Sequence, residues 1–157
     1  MTPRNKEDEN MNGELQLTIN HTAITVSDLS ASMAWYQKML GFTPEKTFER
    51  QDMGAKIGFM TLNKGLTSEY HLELFSFKDY EPLPDYRKQL ASDLHTVGTK
   101  HFALGVENID EAFHVLSKRG VTFDSKPTIG GSGHRYTFFR DLDGIMIELF
   151  ENSPYER

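Results

Sequence analysis

Two stretches of this sequence repeat one pattern: residues 21–42 read HTAITVSDLSASMAWYQKMLGF, and residues 101–123 read HFALGVENIDEAFHVLSKRGVTF. Each stretch opens with a histidine and has a valine five positions later. A polar turn and a helix-like segment follow, and then a glycine that leads into a new apolar run. Because self-similarity within one chain indicates a duplicated unit, the sequence is predicted to contain two copies of one structural module.

The two copies also end alike. Residues 71–75 read HLELF and residues 146–150 read MIELF, so that Glu73 and Glu148 each lie inside an apolar run. Alternation of apolar and polar residues predicts strands, and apolar residues at helical spacing predict one helix in each copy. The element order βαβββ therefore occurs twice, which indicates an α+β fold.

The boundaries of the elements follow from the same patterns. The first module is predicted to contain a strand over 16–26, a helix over 29–40, and strands at 43–50, 55–62 and 69–77. The second is predicted to contain a strand over 100–107, a helix over 109–119, and strands near 121–126, 134–140 and 144–151. The chain is thus divided into a disordered tail (1–14) and a single domain (15–152), itself composed of module one (15–78), a linker (79–99) and module two (100–152).

Composition excludes several classes of function. The chain has 157 residues and a formal net charge of -6, so no broad positive field would attract nucleic acid or an anionic membrane. It has no cysteine, which excludes disulfides, thiolate metal sites and cysteine nucleophiles. No apolar run approaches the roughly 20 residues of a membrane-spanning helix, and the N-terminus carries no signal pattern. A cytoplasmic protein is therefore the expectation, while the acidic composition indicates nothing about small-molecule substrates.

The alternation of side chains along strands predicts a metal site. On the first strand of each module, His21 and His101 point away from the aliphatic face that packs against the helix. Glu73 and Glu148 do the same on the last strand, where an ionised carboxylate is costly unless it is paired or bound to a cation. Two such sheets facing each other would bring the two imidazoles and two carboxylates together. This ligand set favours one divalent ion among Zn, Ni, Co, Fe and Mn.

Alternative interpretations remain for single residues. His71 shares the face of Glu73 and competes with it for the second ligand position. His134 lies between Gly133 and Arg135 and is either a catalytic acid or base or a solvent-exposed loop residue. The prediction rests on the repeat, because the same two residue types recur at matching places in both modules.

The residues described above resemble a known family, the vicinal-oxygen-chelate superfamily of glyoxalases, bleomycin resistance proteins and extradiol dioxygenases. The resemblance is carried by NHTAITVSDLSASMAWYQKMLGF at 20–42, KHFALGVENIDEAFHVLSKRGV at 100–121, and RYTFFRDLDGIMIELFE at 135–151. It extends over about residues 15–152, although Leu142 stands where the family usually has proline.

The resemblance implies paired βαβββ modules that form a cupped, barrel-like mixed sheet with helices outside. It places His21, Glu73, His101 and Glu148 on the four metal positions, a set similar to that of bacterial glyoxalase I. It implies a homodimer and a metal-dependent lyase or isomerase of the lactoylglutathione lyase type, with proton transfer through an enediolate. The catalytic residues acting on a small-molecule substrate would then be Glu148 and Glu73, with no organic cofactor. His134 is the third catalytic candidate because of its place in the sequence.

Two other functions stay open within the resemblance. An Fe(II) extradiol dioxygenase would use His21, His101 and Glu148 as a facial triad, assisted by His134 or Tyr136. A bleomycin resistance-like protein would bind a small ligand without metal. The long segment at 78–99 departs from compact bacterial glyoxalases, and a glutathione-binding set of basic residues is not evident beyond the candidates Lys46, Arg50 and Lys100.

Overall fold

The computed structural model describes residues 17–155, so the predicted tail at 1–14 lies outside the described residues. The first βαβββ unit comprises β1 (His21–Thr25), α1 (Leu29–Trp35), a π-helical turn (Tyr36–Leu40), β2 (Thr43–Arg50), β3 (Ala55–Leu62) and β4 (Tyr70–Phe77). A 3₁₀ turn (Asp85–Arg87) and the short helix α2 (Leu90–Asp93) follow. The second unit comprises β5 (Phe102–Val106), α3 (Ile109–Arg119), β6 (Thr128–Ile129), β7 (Arg135–Arg140) and β8 (Met146–Glu151).

The strands form two four-stranded mixed sheets with the same topology. Their strand orders are β1-β4-β3-β2 and β5-β8-β7-β6, and in each sheet the first strand pairs in parallel with the last. Ala23 lies opposite Glu73 in the first sheet, and Ala103 lies opposite Glu148 in the second. The duplicated βαβββ fold is therefore confirmed at the level of register, and the sheets are cupped without closing a barrel within the chain.

Each helix begins and ends where its capping residues predict. The side chain of Asp28 accepts a hydrogen bond from the Ala31 amide at the start of α1, and Asn108 does the same for α3. Gly41 and Gly120 follow the two helical segments with φ values of 82° and 104°, the left-handed conformation that glycine adopts without steric cost. The same sequence signals thus fix the helix position in both units.

Three predicted elements differ from the structure. The first strand begins at His21, because β1 has only β4 as a neighbour and their pairing starts at His21 and His71. The predicted helix over 29–40 changes to a π-helical turn after Trp35. The predicted strand near 121–126 is wrong, because only Phe123 bridges to β7 and the paired strand β6 lies further along.

The core lies on the helix-facing side of both sheets. Leu72 and Leu74 of the first sheet and Ile147 and Leu149 of the second are buried to within 2% of complete burial. They belong to one apolar cluster that also contains Tyr36, and Trp35 packs against it, so both aromatic residues are core residues. Both metal-ligand candidates of each unit are consequently left on the opposite face.

The boundaries assigned to the modules and linker stay a prediction.

Within residues 17–155, no helix has the length and apolar character needed to cross a membrane.

Candidate metal centre

The first histidine–glutamate pair lies on two adjacent parallel strands. The Nε2 atom of His21 on β1 is 3.5 Å from the Oε2 atom of Glu73 on β4. The Nδ1 atom of His21 is 2.8 Å from Oδ1 of Asn20, so this ring nitrogen carries the proton that it donates to the amide oxygen. Because a neutral imidazole then has its lone pair on Nε2, that lone pair points at a carboxylate. Such an arrangement needs a proton or a cation between the two atoms.

The second pair repeats this geometry in the other sheet. The Nε2 atom of His101, which immediately precedes β5, is 3.1 Å from Oε2 of Glu148 on β8. The side chains of Glu148 and Glu73 are each 15% exposed, so both carboxylates have lost most of their contact with water. The Nδ1 atom of His101 is buried and has no hydrogen-bond partner among the described residues.

A phenylalanine completes each pair and was missed in the sequence. Phe59 on β3 lies opposite Glu73, and Phe138 on β7 lies opposite Glu148. The ring of His21 meets Phe59 edge-on with centroids 6.5 Å apart, and His101 meets Phe138 edge-on at 5.3 Å. The repeat therefore extends to His, Glu and Phe. The available signal was the hairpin register of the last two strands, which determines the residue facing each glutamate.

The two pairs do not converge within one chain. Across residues 17–155, no three or more His, Asp or Glu side chains come together in a group able to hold a metal ion. The two units meet on their helix-facing sides, where one apolar cluster contains residues of both units and α3 contacts the π-helical turn. The sequence prediction correctly paired each His with its Glu on one face, but the facing of the two sheets is not found in the single chain.

His71, the alternative to Glu73 as the second metal ligand, contacts other residues. Its Nδ1 atom is 2.9 Å from the Thr61 hydroxyl, and its Nε2 atom is 3.2 Å from a carboxylate oxygen of Glu69. Both ring nitrogens are thus engaged, whereas the Glu73 carboxylate faces His21. This geometry favours Glu73 as the second ligand candidate.

His134 lies on the same face as the second pair but at a distance along the strands. It stacks on Phe150 with centroids 4.9 Å apart, and its Nδ1 atom is 2.9 Å from the backbone oxygen of Glu151. Phe150 is two residues beyond Glu148 on β8, and Tyr136 lies opposite it on β7. His134 is therefore half-buried and oriented by the fold, and is not a freely solvated loop residue.

The three basic candidates have different environments. Arg50 forms a two-point ion pair with Asp52, and Lys100 donates to the carboxylate and backbone oxygens of Asp93. Lys46 instead lies over aromatic rings, with its ammonium 4.9 Å from the centroid of Phe59. Only Lys46 thus extends onto the face that carries the first pair without engagement by an acidic group among the described residues.

The geometry of each pair suits a divalent ion. Two ligand atoms bound at about 2.1 Å with an angle of 90° to 109° between them lie roughly 3.0 to 3.4 Å apart. The N–O separations of 3.1 and 3.5 Å are close to this range. The donors are imidazole nitrogen and carboxylate oxygen, which suit borderline first-row ions. Each pair therefore fits half of a four-ligand site.

A cleft of about 880 Å³ separates β1 from the segment that joins the two units. Its lining includes Thr25 of β1, Leu83 and Arg87 of the connecting segment, and His101. The connecting segment is anchored by Asp93, whose buried carboxylate is 3.2 Å from both Arg87 Nε and Lys100 Nζ. Burial alone would raise the pKa of Asp93, but the hydrogen bonds and charges of these two cations outweigh it and lower the pKa.

A second buried carboxylate ties the two units together. Tyr36 donates its hydroxyl hydrogen to Asp141 at 2.8 Å, and the backbone amides of Asp143 and Ile145 donate to the other oxygen of that carboxylate. Burial raises the pKa of Asp141, against the opposing effect of these hydrogen bonds. Burial and the neighbouring Asp141 charge likewise raise the pKa of Tyr36 well above its usual value.

Comparison with known proteins agrees with this architecture. The family model described as the glyoxalase/bleomycin resistance protein/dioxygenase superfamily matches residues 18–149. The chain therefore belongs to the glyoxalase/bleomycin resistance protein/dioxygenase superfamily.

Individual relatives span nearly the whole chain. The uncharacterized protein YwkD of Bacillus subtilis (strain 168) is 34% identical over 134 residues, which cover 85% of this chain and 96% of that protein. Lactoylglutathione lyase of Escherichia coli O157:H7 is 30% identical over 141 residues, covering 87% and 94%. The crystal structure of a glyoxalase family protein from Enterococcus faecalis superimposes with a TM-score of 0.71 at 27% identity, covering 85% and 97%.

Proposed function

We propose that this chain is a divalent-metal-dependent enzyme of the glyoxalase type, which moves a proton between adjacent carbons of a substrate bound through two neighbouring oxygens. The observation that carries the proposal is the duplicated pair, in which His21 faces Glu73 and His101 faces Glu148 with similar separations. The resemblance to lactoylglutathione lyase at 30% identity supports the choice of reaction.

We further propose that two chains assemble each site. Each sheet of one chain offers one histidine–glutamate pair, which is half of the ligand set for one ion. In a two-fold dimer, the His21–Glu73 pair of one protomer can meet the His101–Glu148 pair of its partner. Such an arrangement gives two equivalent sites per dimer and covers the aromatic faces of both sheets.

The residues of the chain then divide the chemistry between them. His21, Glu73, His101 and Glu148 would hold the divalent ion, which would supply Lewis-acid polarisation of the two substrate oxygens. The carboxylate of Glu148 or Glu73 takes the proton from the carbon next to the carbonyl and returns it to the adjacent carbon. Phe59 and Phe138 exclude water beside the two carboxylates, and a drier site strengthens the interactions of each charge. His134 acts further along the same face, where it can orient the remainder of the substrate.

A specific observation also supports the dioxygenase as a second candidate. His101, Phe138 and Tyr136 form a continuous aromatic wall, with centroids 5.3 and 5.4 Å apart. A planar ring could stack on this wall beside the three-residue ligand set of His21, His101 and Glu148. This alternative requires Fe(II) and molecular oxygen, which distinguishes it from the proton-transfer reaction.

The test is metal binding followed by turnover. Full-length protein is loaded anaerobically with Ni, Co, Zn, Fe or Mn, and the metal content is measured after removal of free ion. We expect one ion per chain, and loss of stoichiometric binding in His21→Ala and in Glu148→Ala because each removes a ligand. His114→Ala, which removes an exposed histidine of α3, is the matched control and should retain the ion.

The loaded protein is then assayed with the hemithioacetal that methylglyoxal forms with glutathione, and separately with a catechol. Metal-dependent formation of the thioester supports the glyoxalase-type reaction. Oxygen uptake with the catechol by the Fe(II) form would replace it with ring cleavage. Failure of all five ions to bind would contradict the proposed site and leave a metal-free ligand-binding protein as the better account.

A further inference from the structure

The edge strand β2 carries one cation that differs from its charged neighbours. Glu45 pairs with Lys64 at 2.8 Å, Glu49 with Lys56 at 3.8 Å, and Arg50 with Asp52 at 2.7 Å. Lys46 alone among the charged residues of β2 has no acidic partner within the described part of the chain. Lys46 directly follows Glu45 and lies three residues before Glu49, yet it forms an ion pair with neither, so other contacts position its side chain.

Two aromatic rings hold the ammonium of Lys46. It lies 4.9 Å from the centroid of Phe59 and 5.7 Å from that of Phe48, and these rings stack on each other at 6.2 Å. A cation over a ring face is attracted by the ring quadrupole, but an exposed contact of this kind is weak. The ammonium hydrogens therefore remain available to an anion.

The register of the sheet directs this cation to the first histidine–glutamate pair. Lys46 lies opposite Phe59, and Phe59 lies opposite Glu73, so the three residues form one row across β2, β3 and β4 on the same face. Strands lie about 4.8 Å apart, which puts the backbone of Lys46 about 10 Å from that of Glu73. The extended side chain of Lys46 covers part of this separation. The distance that remains to Glu73 is one that a small substrate can span.

We propose that Lys46 binds an anionic group of the substrate, and so selects compounds that chelate the metal at one end and carry a carboxylate or similar anion a few bonds away. The inference rests on the proposed function, since the chelating end needs the metal. The row of Lys46, Phe59 and Glu73 then provides successively a charge contact, an apolar contact for the intervening carbons, and the reacting centre. Lys46 is a specificity residue, because it lies far from the atoms that react.

The second sheet offers no equivalent of this cation. The row that contains Glu148 continues to Phe138 on β7. It ends there because β6 pairs with Arg135 and Tyr136 of β7 and does not reach Phe138. The apolar part of the repeat is thus present in both units, whereas the cation is present in one. A substrate bound between the two pairs would have its anionic end on the β2 side. The site would therefore favour one orientation of the substrate.

The experiment compares two chelating probes on nickel-loaded full-length protein by titration calorimetry. Benzohydroxamate chelates through two vicinal oxygens, and 4-carboxybenzohydroxamate adds a carboxylate at the far end of the ring. We expect wild-type protein to bind the carboxylated probe about fivefold more tightly, the scale of one partly exposed charge contact. In Lys46→Gln the ratio of the two affinities should fall towards one, and Lys46→Arg should restore it.

Lys56→Gln is the matched control. Lys56 lies on the adjacent strand β3 and its side chain points to the other face of the sheet, so this variant makes the same change in net charge away from the row. The Lys56→Gln variant should keep the wild-type ratio. Equal binding of the two probes by wild-type protein, or a ratio that Lys46→Gln leaves intact, would overturn the role of Lys46 alone. Failure of both probes to bind would overturn the proposed metal site and the role of Lys46 together.

Discussion

At the scale of single residues, the hydroxyl of Tyr36 joins the first unit to the second. It donates to Asp141, which lies in the turn between β7 and β8, while Asp143 in the same turn accepts from the backbone amide of Ser27 at 3.0 Å. Tyr36 is fully buried, and Asp141 is nearly so. Because unsatisfied groups are expensive in such an environment, this contact is a sensitive point of the core.

The substitution Tyr36→Phe removes the donor and leaves a buried carboxylate oxygen without one of its partners. We expect the free energy of unfolding to fall by about 1–3 kcal/mol. Urea-induced unfolding followed by circular dichroism measures the change. Tyr86→Phe is the control, since Tyr86 is 51% exposed and its substitution should change the free energy of unfolding by less than about 0.5 kcal/mol. Equal effects of the two variants would contradict a stabilising role for the Tyr36–Asp141 contact.

At the scale of elements, the segment between β4 and β5 depends on one buried carboxylate. Asp93 at the end of α2 accepts from Arg87 and Lys100, and Lys100 also donates to the backbone oxygen of Thr96. These contacts lower the pKa of Asp93 in the folded protein. A lowered pKa means that ionised Asp93 stabilises the fold above the ordinary aspartate value of about 4, and that this contribution is lost as pH falls through the lowered pKa.

The substitution Asp93→Asn removes the charge and keeps the shape of the side chain. We expect the variant to unfold more easily than wild type at pH 7, because Arg87 and Lys100 lose their ionic partner. The difference in free energy of unfolding should begin to shrink below about pH 4, where Asp93 of the unfolded chain takes up a proton. It should disappear only as the pH falls through the lowered pKa of Asp93 in the folded protein. Denaturant unfolding of both proteins between pH 2.5 and 7 measures this difference in free energy of unfolding. A difference that does not vary with pH would show that the charge of Asp93 is not what stabilises the segment.

Most elements could be predicted because local signals agree with the fold. The ranges 43–50 and 55–62 were predicted to the residue, since their alternation and bounding turns are unambiguous. The strand near 121–126 could not be predicted correctly. Its apolar Val121 and Phe123 fill the core, but the amide of Asp124 bonds to Phe138 and the chain then leaves the sheet until Thr128. Burial without strand pairing gives the same pattern in sequence as a short strand.

At the scale of the whole molecule, the sequence predicts each histidine–glutamate pair but not how the two pairs lie relative to each other. Alternation correctly paired His21 with Glu73 and His101 with Glu148, because side-chain direction is a local property of a strand. Which sheet faces which is determined by how the two units pack, and the alternation of side chains along a strand carries no information about that packing. The partner of each face therefore could not be derived from the periodicity of one chain.

Mixing two inactive variants tests whether two chains share each site. His21→Ala and His101→Ala each destroy one half of every site in their own homodimers. In a mixed dimer, both substitutions fall in the same site and the other site is intact. After unfolding and refolding of an equal mixture, we expect about a quarter of the wild-type metal capacity to return, since about half of the dimers are mixed and each has one intact site. Recovery of none would indicate that the site does not combine two chains.

In the proposed dimer, splitting the ligands into two pairs, each with one imidazole and one carboxylate, would make metal and partner chain effectors of each other. Thermodynamic reciprocity requires that an ion which tightens the dimer is itself bound more tightly by the dimer, by the same factor. Affinity for the ion would then rise with the abundance of the protein, and dilution would release both. In a cell, expression level would set metal occupancy as effectively as metal supply.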